Sequence, residues 1–140
     1  MIFREATLAD IEEVAKTSIA PGAKKEFPQS VDQVFALEHD GSVLCVGGFK
    51  MLLPGCICIW CDLSAKGREH LIFVYRSIKE WIGKLIDTYN LHRVMAWVHC
   101  EYDEGKRLVE HLGFSVESVM KNFFGPGKDA LLYVILPEVK

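Results

Sequence analysis

The chain has 140 residues, a length that favours one domain, since hydrophobic cores divide only well beyond this size. Half of the residues are apolar and a quarter charged, the balance of a soluble globular domain, and 16 basic residues against 19 acidic ones leave a net charge of −3. This charge excludes a broad nucleic-acid-binding surface, and no apolar run approaches the roughly 20 residues of a membrane span. The opening Met1-Ile2-Phe3-Arg4-Glu5 lacks the apolar core of a signal peptide. The five cysteines therefore read as free thiols of a reducing, cytoplasmic compartment.

In chain order, a short strand is expected at 2–5. Thr7 and Asp10 form a capping-box-like pair before Ile11, Val14 and Ala15, which recur at helical spacing and predict a helix over 8–17. Ala20-Pro21-Gly22-Ala23 breaks it, and 24–30 reads as a loop with a helical turn near Ser30–Gln33. Asp40-Gly41, set between strand formers, predicts a hairpin, and Leu53-Pro54-Gly55 a second reversal. Strands are thus expected near 34–39, 43–52 and 56–63 as an antiparallel meander. Cys56, Cys58 and Cys61 resemble a metal cluster, but alternation turns Cys61 to the opposite face from the other two. Packing is their expected role, and no metal site is expected.

Leu71, Val74, Tyr75, Ile78, Trp81, Ile82, Leu85 and Tyr89 predict one long amphipathic helix over about 68–89, closed by Asn90. A buried strand follows at 93–98, then a helix that turns Leu108, Val109 and Leu112 inward and stops at Gly113. Strands near 114–122 and 130–136 flank Gly125-Pro126-Gly127; the second is apolar throughout, as in a strand covered on both faces. Trp60, Trp81 and Trp97 read as core residues. Phe123-Phe124 precede the glycine loop and point to opposite sides if extended, leaving one for solvent, a pocket or a partner. The order is β-α-β-β-β-α-β-α-β-β, a mixed α/β domain.

Lys66 and Arg68 fall at the expected start of the long helix, where the dipole disfavours cations by about 0.3–1 kcal/mol. An anion bridging them would explain the placement; so would two solvated side chains balanced by Glu69. For a general base the candidates are Asp62, His70 and His99. Each has a structural role open to it: a cap of the long helix, a solvated first-turn residue and the close of the fifth strand. Walker, dinucleotide-glycine, G-x-S-x-G and H-E-x-x-H patterns do not occur.

This element order, with Phe3-Arg4-Glu5-Ala6-Thr7, the Asp40-Gly41 hairpin and Leu112-Gly113-Phe114, resembles the GNAT superfamily of acyl-CoA-dependent N-acyltransferases over nearly the whole chain. Trp60, Ser64, His70 and Trp81 are similar in pattern to the small GNAT-like proteins of tailed bacteriophages. The resemblance implies a GNAT-like α/β fold with a mixed central sheet of about seven strands and flanking helices. It also implies acetyl-CoA as co-substrate, an amine acceptor and a homodimer or virion partner. Cys61 and Leu63 would then border the pantetheine arm, and Ser64, Lys66, Gly67 and Arg68 the pyrophosphate; Asp62, His70 and Tyr102 would be the catalytic candidates. Two departures stand out. The turn Ser64 to His70 has one glycine, out of the family's register, and Val109 occupies the place of the family's Tyr acid. Tyr102, near the place of a family Asn, would reach the thiolate only with a changed geometry. A non-catalytic interaction or virion-associated protein of the same fold is the alternative these departures raise.

Overall fold

The computed structural model describes residues 2–17 and 33–138. Its elements are β1 (Ile2–Glu5), α1 (Leu8–Thr17), β2 (Gln33–His39), β3 (Ser42–Leu53), β4 (Cys56–Leu63), α2 (Ala65–Glu69), α3 (Leu71–Tyr89), β5 (Arg93–His99), α4 (Asp103–His111), β6 (Ser115–Gly125) and β7 (Lys128–Ile135). The seven strands form one mixed sheet in the order β1-β2-β3-β4-β5-β7-β6, with helices flanking it. No helix among the described residues is long and apolar enough to cross a membrane. The loop expected at 24–30 and the helical turn near Ser30–Gln33 lie outside the described residues, except that Gln33 begins β2.

The described residues fall into two compact units, one running to Lys50 and including Ile59–Ile78, the other comprising Met51–Cys58 and the chain from Lys79 onward. In the first, β1 and β2 pair antiparallel, as do β2 and β3 across the Asp40-Gly41 turn, where both residues take positive φ (49° and 76°) as a two-residue hairpin of this kind requires. Val14, Ala36, Val43 and Val46 form its apolar core, with Ala6, Ile11 and Trp60 packed against them. The capping pair closes as expected: Asp10 N–H donates to Thr7 Oγ1 at 3.3 Å and Thr7 N–H to Asp10 Oδ2 at 2.7 Å. Arg4 adds a bidentate pair to the same carboxylate at 2.7 and 2.9 Å.

In the second unit, Cys56–Cys58 pair in parallel with Arg93–Met95, and β7 lies antiparallel between β5 and β6. Val94, Ala96 and Val98 are buried on one face of β5, against which α4 packs; Met95, Trp97 and His99 alternate onto the other and are only half-buried. Trp97 is thus not the core residue expected: it meets Phe123 edge to face at 5.3 Å. β7 also departs from expectation, since Leu131, Leu132 and Ile135 are half-buried, as befits a strand one place from the sheet edge. Leu112-Gly113-Phe114 is a helix stop: Gly113 N–H reaches Glu110 O and Phe114 N–H reaches Val109 O, the paired bonds of a Schellman motif, with Gly113 at φ 100°.

Two boundaries differ from expectation. The helix predicted over 68–89 is two helices, a short one at Ala65–Glu69 and a long one from Leu71, with His70 between them at φ −122° and ψ 38°. The strand predicted to end near 122 runs to Gly125, interrupted by an irregularity after Met120 and a positive φ of 57° at Asn122, so Phe123 and Phe124 lie in β6 rather than before a loop.

Candidate functional site

The turn after β4 is anchored to β3 through Ser64. Its N–H donates to Leu44 O at 3.0 Å, its hydroxyl lies 2.8 Å from Val43 O and 3.1 Å from Leu44 O, and its Oγ accepts from Gly67 N–H at 3.0 Å as the N-cap of α2. Ser64, not Asp62, is therefore the cap. Gly67 is buried, and a Cβ there would lie 2.0 Å from Leu44 O and 3.2 Å from Leu63 Cδ2. Its lack of a side chain lets α2 approach β3, which accounts for a single glycine at this place in the turn.

The N–H groups that could meet an anion are largely taken. Those of Ser64, Ala65, Gly67, Arg68 and His70 donate to Leu44 O, Thr17 Oγ1, Ser64 Oγ, Ser64 O and Gly67 O respectively. The basic side chains also have protein partners: Lys66 Nζ is 3.6 Å from Glu69, and Arg68 Nη2 donates to Thr17 O at 3.2 Å, on the last residue of α1. A cation there matches the negative end of α1. Lys66 and Arg68 lie on the short α2 and not at the start of the long helix, so the dipole conflict expected from the sequence does not arise.

Cys61, Asp62 and Leu63 close β4, the last two buried and Cys61 half-buried. Burial, and secondarily the Asp62 charge, push the Cys61 thiol up to about 12, and burial holds Cys45 high as well, so neither is a thiolate near neutrality. His70 lies edge to face with His39 at 5.3 Å, and His39 Nε2 is 3.3 Å from the Asp40 carboxylate. This histidine neighbour was invisible in the sequence, because His39 and His70 are brought together only by the packing of α2 beside the β2–β3 hairpin.

Within the second unit, Tyr102 is the N-cap residue of α4, without a side-chain cap bond, and its N–H donates to His99 O at 2.9 Å. Its ring covers Gly105, where a Cβ would lie 2.5 Å from Tyr102 Cδ2. Val109 is buried and provides the carbonyl that ends α4 at Phe114. His99 Nδ1 accepts from Glu101 N–H at 3.2 Å, and its ring stacks on Phe124 at 5.4 Å with 15° between planes. Phe123 stands perpendicular to Phe124 at 5.1 Å. The adjacent phenylalanines were legible as unusual, but not their partners Trp97 and His99.

No family model and no curated protein sequence matches the chain. Solved structures do. An acetyltransferase of the GNAT family from Bacillus anthracis is 16% identical with a TM-score of 0.74, over 96% of this chain and 93% of that one. Ribosomal-protein-S5-alanine acetyltransferase from Vibrio fischeri is 15% identical with a TM-score of 0.75, over 99% and 94% of the two chains. Ribosomal-protein-alanine N-acetyltransferase from Brucella melitensis is 16% identical with a TM-score of 0.73, over 98% and 100%. At these identities the likeness is one of architecture, and it spans both proteins end to end: the chain has the GNAT N-acetyltransferase fold.

Proposed function

We propose that the protein is an acyl-CoA-dependent N-acetyltransferase-like protein that passes an acetyl group from acetyl-CoA to an amine. The observation that carries this reading is the full-length likeness to acetyltransferases, in a chain whose β4 end, Cys61, Asp62 and Leu63, leads directly into the turn bearing Lys66 and Arg68. In the reaction the amine nitrogen attacks the thioester carbonyl carbon, the C–N bond forms, the C–S bond breaks and the thiolate departs. The high-held Cys61 thiol favours this direct attack over a cysteine acyl-enzyme. Asp62 and His70 are the proposed acceptors of the amine proton, and Tyr102 the proposed group beside the thiolate. Because the N–H groups of Ser64, Ala65 and Gly67 are bound within the protein, the co-substrate phosphates fall to the side chains of Lys66 and Arg68, released from Glu69 and Thr17.

Calorimetric titration with acetyl-CoA and with CoA tests this. Binding is expected, weakened roughly 10- to 100-fold by Lys66→Ala or Arg68→Ala, the range of one charge-assisted contact. No heat at millimolar ligand would refute the reading. The same engaged N–H groups, with Val109 serving the helix stop, favour a second reading: a non-catalytic GNAT-fold interaction module, self-associating as a homodimer or carried in a phage virion. Turnover of acetyl-CoA with any amine above the hydrolysis background excludes that one.

A further inference from the structure

One residue of α1 holds two groups of the turn after β4. Ala65 N–H donates to Thr17 Oγ1 at 3.0 Å, and Arg68 Nη2 donates to Thr17 O at 3.2 Å. Thr17 is the last residue of α1, so its carbonyl is among those that a helix leaves without an internal partner, and Arg68 supplies one. Both bonds lie at the surface. α1, the turn and α2 all belong to the same compact unit.

The two sides of this contact are held differently. α2 is fixed to β3 by the buried Ser64 bonds and by Gly67, which leaves no room beside Leu44 O. α1 is anchored by the buried Val14 and Ala15, but Thr17 beyond them is exposed. Breaking a buried hydrogen bond leaves its groups unsatisfied, whereas water takes up the groups of an exposed one. Thr17 is therefore the side that yields. Lys66 differs from Arg68 in this respect: its partner Glu69 sits on α2 itself, so freeing Lys66 disturbs nothing in α1.

We infer that Thr17 is a latch that competes with the co-substrate for Arg68, whose guanidinium serves the end of α1 in the free protein and an anion in the bound one. The inference rests on the acetyltransferase reading for the identity of that anion, a phosphate of acetyl-CoA. Binding exchanges one charge-assisted hydrogen bond for another and unties Arg68 from α1. Because the latched form must open first, its population lowers the apparent affinity, and whatever loosens the latch tightens the ligand.

The latch is read first in the free protein, by amide hydrogen exchange at Ala65. Thr17→Val keeps the side-chain shape and removes the acceptor, so Ala65 should exchange about fivefold faster, while Thr17→Ser, which retains a hydroxyl, should keep the wild-type protection. Equal exchange in wild type and the Val variant overturns the latch, as does an equal rise in Glu69→Gln, which frees Lys66 alone. In calorimetric titration the Val variant should bind acetyl-CoA and CoA alike about 3- to 10-fold more tightly than wild type, and the Ser variant as wild type does. Unchanged or weaker binding by the Val variant overturns the competition. In an Arg68→Ala background Thr17→Val should bring no gain, since no guanidinium remains to be released, and the same gain there overturns the route through Arg68. If neither acetyl-CoA nor CoA binds any of these proteins, the acetyltransferase reading falls and the competition falls with it, while exchange at Ala65 still decides whether Thr17 ties α1 to α2.

Discussion

Gly67→Ala separates two reasons for a glycine in this turn. If the residue admits α2 to β3, a methyl group must displace the turn, because its carbon would sit 2.0 Å from Leu44 O and 3.0 Å from Leu44 C, both backbone atoms that cannot rotate aside. Overpacking of this kind costs about 1–3 kcal/mol. The same displacement strains the Ser64 bonds to Val43 and Leu44, and losing one adds about 1 kcal/mol. A destabilisation of about 2–4 kcal/mol follows. With an unfolding entropy of about 2.1 cal/mol/K per residue, a chain of this length should lose roughly 7–14 °C of Tm. Thermal unfolding followed by circular dichroism, with a urea titration for the free energy, reads this directly. Gly83→Ala is the control: it lies exposed within α3 with nothing within 4 Å of the added carbon, and it should gain about 0.5–1 kcal/mol from helix propensity. A Gly67→Ala protein melting within about 2 °C of wild type would refute the close-approach account. If it also bound acetyl-CoA more weakly, the glycine would instead be there to admit phosphate.

Asp10→Asn should cost about 1.5–3 kcal/mol at pH 7, because the carboxylate accepts from both Arg4 nitrogens and from Thr7. Arg4 and the Thr7 N–H hold that carboxyl well below the usual range, so its stabilisation is complete above about pH 4 and is lost as pH falls through the depressed value. The gap in urea midpoint between wild type and variant should accordingly narrow only in acid; a gap unchanged down to pH 2 would contradict the pairing. Gly113→Ala should cost about 1 kcal/mol or more, since φ there is 100°, and equal stability by urea titration would contradict the helix-stop geometry. With the Cys61 thiol pushed up to about 12, roughly one molecule in 10⁴ carries its thiolate at pH 8. Mass spectrometry after brief iodoacetamide treatment should find Cys45 and Cys61 unlabelled in the native protein and labelled in urea; native labelling of Cys45 would contradict its burial, and of Cys61 its raised thiol.

Much of the fold was legible because its signals are local. The helix at 8–17 follows from the Thr7 and Asp10 pair, the hairpin from Asp40-Gly41, and the stop of α4 from Gly113, each a short-range requirement of backbone geometry. The Leu-Gly-Phe run that supported the family resemblance is itself such a signal: it ends a helix. The same local reading failed at 65–70, where the apolar periodicity of α3 carries no sign that Ser64 and Gly67 tie the preceding turn to a strand twenty or more residues earlier.

The sequence by itself determined the order of elements, apart from the division of one expected helix into α2 and α3, and the residue types at the end of β4 and in the turn after it, since these depend on capping, turns and periodicity within a few residues. Only the tertiary structure decided what those residue types are free to do. Lys66 and Arg68 read as open either to a bridging anion or to solvation balanced by Glu69; folding sets Glu69 3.6 Å from Lys66 and the last carbonyl of α1 3.2 Å from Arg68. His99 read either as a candidate base or as the close of the fifth strand; in the fold Glu101 N–H donates to its Nδ1 and Phe124 from β6 stacks on its ring. The physical reason is common to both: hydrogen-bonding capacity is a property of the residue, but whether any of it remains for a ligand depends on neighbours that folding supplies, some adjacent in sequence and some distant from it.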